Sequence, residues 1–291
     1  MPLNFDVCFS NRPVGVKRFQ TIHRNADEVF GKRRGLARLT KCSLVPRTME
    51  FVLTSDLDWA SESCVETFLR ITDRYSVKPT LFLTHESVPA RRAFEEGRAE
   101  LGIHPNFLAN SDHGGNVDTV IDYNLRLVPQ PVAVRNHRFI DTPEIQAALV
   151  EHGLKFESNA CRHLERELRP CMLPSGLRRY PVFFEDDVHW SRDLDWNFGA
   201  YAHDFFSSGL KILNFHPFFV ALNIPNAEFY KRHQPHIRTL TQAQAMNFRH
   251  PGPGAQTFLI EALDMILSTG HCFIPFSEMT SQSLVESDVG G

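Results

Sequence analysis

The stretch Met49-Glu50-Phe51-Val52-Leu53-Thr54-Ser55-Asp56-Leu57-Asp58-Trp59 decides the fold. Its apolar run has the length and composition of a buried strand, and two carboxylates stand at its end. Alternation along a strand sends Asp56 and Asp58 to the same side of the chain. A buried strand end is an expensive place for two negative charges. A metal that takes one of them, leaving the other to work as a base, is the usual solution.

Outward from this stretch, strand and helix signals alternate. Strands are predicted over 49–55, 79–84, 100–103, 132–136, 154–158, 180–185, 211–216 and 271–276. Helical patterns fall between most of them. Ser63 and Glu66 have the spacing of a capping box, and Val65, Phe68, Leu69, Thr72 and Tyr75 share one face after it. Asp141-Thr142-Pro143-Glu144 opens another helix, with Pro at its first position and Gly153 at its close. The last helical pattern runs over 255–269 and ends at Gly270. This alternation predicts an α/β fold with a parallel sheet, open or closed into a barrel. Residues 1–47 have weak periodicity and carry the basic cluster Lys32-Arg33-Arg34, which reads as a solvated surface. They are expected to form an N-terminal extension packing on a catalytic domain over 48–291.

The chain has 291 residues, 42% hydrophobic and 22% charged, so it can bury a sizeable core. Its 24 phenylalanines favour an aromatic core over an exposed stacking surface. A formal charge of −3 gives no electrostatic case for nucleic acid. The six cysteines, at 8, 42, 64, 161, 171 and 272, include no CxxC pair and are expected as reduced thiols. No signal peptide or membrane-length apolar window is visible, so a cytoplasmic protein is expected.

Parallel α/β folds build their sites at strand C-termini. Here those ends carry Asp56 and Asp58, then His104-Pro105-Asn106-Phe107, then Arg135-Asn136-His137-Arg138, then Glu185-Asp186-Asp187, then His216-Pro217. Carboxylates, histidines and an arginine therefore recur at one end of the sheet. In order, the segments T-S-D-L-D-W, E-L-G-I-H-P, V-R-N-H and I-L-N-F-H-P resemble the motifs of the polysaccharide deacetylase family, the NodB-type carbohydrate esterases of family four, in a divergent form. The resemblance covers roughly residues 48–279. It implies a distorted (β/α) barrel of about seven strands.

The same resemblance implies roles. Asp56 corresponds to the catalytic base, Asp58 and His104 to metal ligands, Arg135 to the arginine that orients the base, and His216 to the general acid. Asp187, or its neighbours Asp186 and Glu185, corresponds to the acid that tunes His216. One departure is clear. The family's second metal histidine lies four residues after the first, where this chain has Leu108. His113 is expected to replace it, because Gly114-Gly115 lets its loop fold back; His137 is the alternative. The metal implied is Zn2+ or another divalent transition metal. Trp59, Asn106, Trp190 and Phe218 are expected to bind substrate.

The reaction implied is hydrolysis of an N-acetyl group on a sugar, possibly nucleotide- or lipid-linked, from a surface polysaccharide or its precursor. Two other readings compete. A non-catalytic carbohydrate-binding relative is suggested by Leu108, and the same machinery could serve another linear or cyclic amide. A non-haem iron oxygenase also uses two histidines and one carboxylate, but the βα alternation argues against it.

Overall fold

β1 (Glu50–Asp56) is buried at every position after Glu50, which requires neighbours on both edges and cover on both faces. A computed structural model describes residues 49–288; the extension and basic cluster expected over 1–47 lie outside them. The other strands are β2 (Thr80–Leu83), β3 (Glu100–Ile103), β4 (Phe156–Glu157), β5 (Cys171–Met172), β6 (Arg178–Arg179), β7 (Phe184–Glu185), β8 (Ile212–Asn214) and β9 (Cys272–Phe273). The main sheet has the order β3-β2-β1-β8-β7. All of its pairings are parallel. β9 pairs with the first residues of β1, at Glu50 and Phe51, and β8 takes over from Val52.

Beyond β3 the pairing thins. The strand predicted over 132–136 is represented by single bridges from Val134, to Ile103 on one side and Glu157 on the other. Its backbone alternates between those neighbours: Arg135 N–H donates to the Ile103 carbonyl, and Val134 N–H to the Phe156 carbonyl. Pro131 has no N–H to give before it, and Arg138 and Phe139 turn left-handed after it, so the ladder cannot lengthen. A second small sheet, β4-β6-β5, follows. The parallel α/β class expected from the alternation is therefore present, regular on one side and distorted on the other.

Helix Glu62–Arg74 buries Cys64, Val65, Phe68, Leu69 and Thr72 against the sheet. It starts two residues earlier than the sequence suggests. Ser61 is its N-cap residue, and no side chain caps it. The Ser63 hydroxyl donates instead to the Leu240 carbonyl, so the expected Ser63–Glu66 box does not form. Helix Pro143–Glu151 does begin as expected, with the Thr142 hydroxyl accepting from Ile145 N–H at 3.2 Å. Phenylalanines fill the core: Phe184 stacks on Phe258 at 4.8 Å, and Phe198 and Phe205 close around them. Each fully buried ring contributes about 1.5–3 kcal/mol. The described cysteines 64, 161, 171 and 272 are free thiols. No helix among the described residues is long and apolar enough to cross a membrane.

Candidate active site

Asp56 is the last residue of β1, with only 2% of its surface exposed. Its charge is answered from two sides. Arg135 Nη1 donates to Oδ1 at 2.8 Å, and Asn214 Nδ2 donates to Oδ2 at 3.0 Å. Arg135 is itself wholly buried. The same Nη1 also lies within reach of Thr54 Oγ1 and Asn214 Oδ1, Nε and Nη2 donate to the Ser158 carbonyl and hydroxyl, and the guanidinium lies 4.3 Å from the Phe82 ring centre. A planar fork with five donors suits this crowded corner as no lysine would.

Asp58 reaches the site by a turn rather than by strand alternation. Leu57 N–H still donates to the Phe82 carbonyl, but Asp58 and Trp59 both have left-handed backbones, with φ of 45° and 57°. Two such residues in succession are costly and mark a conformation held by its surroundings. Ala60 N–H bonds the Leu57 carbonyl and Trp59 N–H bonds Thr84 Oγ1, which fix the turn. Asp58 Oδ1 then lies 3.1 Å from His104 Nε2 and 3.0 Å from His137 Nδ1. Burial opposes the Asp58 charge, but the hydrogen bonds from His104 and His137 outweigh it and hold the carboxyl well below its usual range. These three residues offer ligand atoms within 4.8 Å of one another.

His137 comes to this cluster because its backbone N–H donates to the Pro105 carbonyl at 2.9 Å, tying two strand ends together. The structure does not bring His113 there. Its Nδ1 accepts from Asn106 N–H and sits 3.1 Å from Asn124 Nδ2, and its ring stacks on Tyr123 at 4.6 Å. Burial pushes its pKa down to about 4, so it is a neutral, anchored ring.

On the far side of Asp58 stands His216, the N-cap residue of helix Pro217–Leu222. Its Nε2 lies 3.5 Å from Asp58 Oδ2. Its Nδ1 meets Asp186 Oδ1 at 2.6 Å, and its backbone N–H donates to Asp186 Oδ2 at 2.8 Å. Burial lifts Asp186 above the usual carboxylate value, although His216 opposes this. At His216 burial works against the cation, yet the Asp186 charge and hydrogen bond overcome it and hold the imidazole well above its ordinary value. The neighbours of Asp186 behave differently. Asp187 is pushed up to about 6, first by burial. Glu185 is pushed well above the carboxylate range, by burial and then by the Asp187 charge.

The expected substrate residues divide. Trp59 is half-buried at the mouth: its ring is 5.2 Å from His137, its Nε1 donates to Asp112, and Arg238 lies over it. Trp190 is half-buried near an aromatic wall of Phe219 and Tyr230. Asn106 is buried, and its side-chain carbonyl accepts from Leu108 N–H within its own turn. Phe218 is 1% exposed and belongs to the core; the ring beside His216, at 5.0 Å, is Phe219. Asn214, which bonds both Asp56 and Arg135, is a site residue outside the expected set. Its signal was its place, a buried amide two residues before His216 on the strand beside β1.

A parallel α/β sheet thus carries, at its strand ends, a two-histidine, one-carboxylate cluster and an acid-paired histidine. A model for the WbmS-like polysaccharide deacetylases matches residues 53–234, and the chain belongs to that family. A crystal structure from Bordetella bronchiseptica, ascribed to polysaccharide deacetylation in O-antigen biosynthesis, is 26% identical with a TM-score of 0.67, over 74% of this chain and 90% of that one. Weaker likenesses include a family 4 acetyl xylan esterase from Clostridium thermocellum with a cobalt ion, at 16% identity and a TM-score of 0.44 over 80% and 91% of the two chains. A family 4 pseudoenzyme from Bacillus anthracis is 11% identical with a TM-score of 0.43, over 80% and 66%. No curated protein matches the sequence.

Proposed function

We propose that the protein is a metal-dependent hydrolase that removes an N-acetyl group from a sugar of a surface polysaccharide or its precursor. The observation that carries this reading is the division of labour between the two carboxylates. Asp56 is held by Arg135 and Asn214, while Asp58 faces His104 and His137 with one oxygen and His216 with the other. The O-antigen role ascribed to the Bordetella bronchiseptica structure supports the choice of polymer.

Asp58, His104 and His137 fit a divalent transition metal such as Zn2+: one carboxylate and two imidazole nitrogens converge, and among the described residues no fourth ligand closes the group. Such a metal, when bound, supplies a Lewis acid for the amide carbonyl and lowers the pKa of water towards ~7. Asp56 takes the proton of the attacking water. Each of its oxygens accepts one protein hydrogen bond and keeps a second lone pair free. Arg135 and Asn214 keep that carboxylate from turning. The Nδ1–H of His216 donates to Asp186, whose charge favours the imidazolium, and the second N–H of that cation, on Nε2, is the proton His216 can give. His216 delivers that proton to the departing nitrogen, which leaves poorly as an anion.

The test is acetate release from N-acetyl sugars, free, nucleotide-linked and lipid-linked, by protein stripped with chelator and then reloaded with Zn2+ or Co2+. Release that depends on the added metal supports the reading. Metal-replete protein that frees no acetate from any of them overturns it.

A further inference from the structure

Arg238 is an open cation held in place at the mouth of the site. Its Nη2 meets Asp112 Oδ2 at 3.3 Å, and the two side chains are 61% and 51% exposed. Ion pairs this open contribute about 0–1 kcal/mol, so stability is a poor reason for the arrangement. Yet the guanidinium is fixed from several sides. Its Cζ lies 5.3 Å from the Trp59 ring centre, and the same Asp112 oxygen accepts from Trp59 Nε1 at 3.1 Å. The backbone around it is tied down as well. The Ile237 carbonyl accepts from Ser61 N–H at 2.8 Å, and the Leu240 carbonyl from Ser61 Oγ at 2.7 Å. Trp59 in turn touches the metal cluster, with its ring 5.2 Å from that of His137. Arg238 thus stands one aromatic ring away from a proposed metal ligand.

The charge around it is mostly of one sign. Residues 226–250 hold Lys231, Arg232, Arg238 and Arg249 against a single acid, Glu228, in a chain whose formal charge is −3. All four cations are exposed. Arg232 is matched by Glu228 at 3.0 Å, whereas Lys231 and Arg249 have no acid partner among the described residues. This segment spans the mouth. Its Tyr230 lies 5.0 Å from Phe219, itself 5.0 Å from His216, and its Arg238 covers Trp59 beside His137. Positive charge gathered over a cleft attracts anions.

We infer that Arg238 is a specificity-determining residue that binds an anionic group, phosphate or carboxylate, carried on the substrate beside its acetamido function. This rests on the deacetylase reading and narrows its substrate class to acidic N-acetyl sugars. The N–H groups that Asp112 leaves free can make charge-assisted hydrogen bonds to such oxygens. Trp59 and Asp112 set the orientation in advance, so less freedom is lost on binding. Asp112 does not reverse the sign of the rim, because its own charge is answered by Arg238 and by Trp59 Nε1.

Binding can be read without turnover. Calorimetric titration of the Zn2+-supplied protein would compare methyl N-acetylglucosaminide with N-acetylglucosamine 1-phosphate and with the methyl glycoside of N-acetylglucosaminuronic acid. At low salt at least one of the two acids is expected to bind about tenfold or more tighter than the neutral sugar, an advantage that shrinks as salt is raised. Which acid shows it identifies the source of the charge. Arg238→Gln should bring that acid down to the level of the neutral sugar and leave the neutral sugar unchanged, and Arg238→Lys should recover part of the loss. Arg70→Gln removes an equal charge from an exposed position on helix Glu62–Arg74 and should keep the preference whole. The inference is overturned if neither acid is preferred, including by binding none of the sugars. It is equally overturned if Arg238→Gln leaves the preference intact or weakens acid and neutral sugar alike, or if Arg70→Gln erases the preference as fully. Acetate release from the same sugars is a separate readout. An Arg238-dependent preference without release would leave the anion site standing and sink the deacetylase reading.

Discussion

Asp186 grips His216 at two points, with Oδ1 2.6 Å from the ring Nδ1 and Oδ2 accepting the backbone N–H at 2.8 Å. One carboxylate thereby sets the tautomer, the ring orientation and the charge of the proposed acid. His216 is held protonated above its ordinary value, so the acid form exists below that raised value and is lost as pH climbs through it. Asp186→Asn removes the charge that raises it. The alkaline limb of the kcat/KM profile for acetate release should therefore move to lower pH. At pH 8 the loss should reach about a hundredfold, the low end of what a general acid supplies. A uniform loss at all pH values, with the limb unmoved, would show that Asp186 only holds structure.

Metal binding should separate the two candidate histidines. His137 Nδ1 meets Asp58 Oδ1 at 3.0 Å, whereas His113 Nδ1 is spent on Asn106 N–H and Asn124. His137→Ala should weaken Co2+ or Zn2+ binding by more than about a hundredfold, a loss at least as large as that for an outer-shell partner. His113→Ala should retain stoichiometric metal while lowering thermal stability, because it empties a packed ring site beside Tyr123 and Trp59. Metal content after gel filtration reads both outcomes, and the reverse pattern would return the third ligand to His113.

Arg135 is a stability element as much as a site element. Removing one partner of a buried charge pair leaves the other uncompensated, at a cost of about 3–5 kcal/mol. Arg135→Met should lose that much in urea unfolding, since Asp56 would keep only the Asn214 bond. Arg135→Lys should recover part of it at most. One ammonium cannot reach Asp56, Thr54, Asn214 and Ser158 together. A Lys variant as stable as the parent would mean that the network contributes little.

Much of the site was legible because strand ends are where parallel sheets place chemistry. Asp56, Asp58, His104, Arg135 and His216 are each at or just past such an end, and the structure brings them together. What was not legible depended on backbone turns and on paired side chains. Choosing between His113 and His137 required knowing that Asn124, eleven residues on in the next helix, would face the His113 ring. Choosing among Glu185, Asp186 and Asp187 required the point where β7 passes into helix Asp186–Ser191, since one residue of slip changes which carboxylate meets His216. The strand over 132–136 had the right composition, but the left-handed pair Arg138–Phe139 and Pro131 confined it to single bridges. Asn214 stands inside the I-L-N-F-H-P segment, but its role comes from lying between Asp56 and Glu185 across the sheet, which the segment alone does not show.

The helix that begins at His216 is anchored at its other end by Asn223, and that end offers a test confined to the fold. Asn223 adopts a left-handed backbone, φ 53°, and stops helix Pro217–Leu222. Its Oδ1 accepts from Gln256 N–H at 2.9 Å and Thr257 N–H at 3.1 Å, which caps helix Ala255–Ser268 from outside, and its Nδ2 donates to the His250 and Gly252 carbonyls. Gly254 is extended, so its backbone needs no glycine on conformational grounds. The need is space: a Cβ there would collide with the Asn223 backbone carbonyl. Gly254→Ala should therefore destabilise by about 1–3 kcal/mol, the usual cost of forcing atoms into a packed region. Asn223→Ala should cost at least about 1 kcal/mol through the lost cap alone. Metal affinity should be unchanged in both, because the Asp58, His104 and His137 cluster shares no element with this corner. A Gly254→Ala protein with parental urea stability would show that the two helices can separate freely, and that Asn223 does not fix the helix His216 begins.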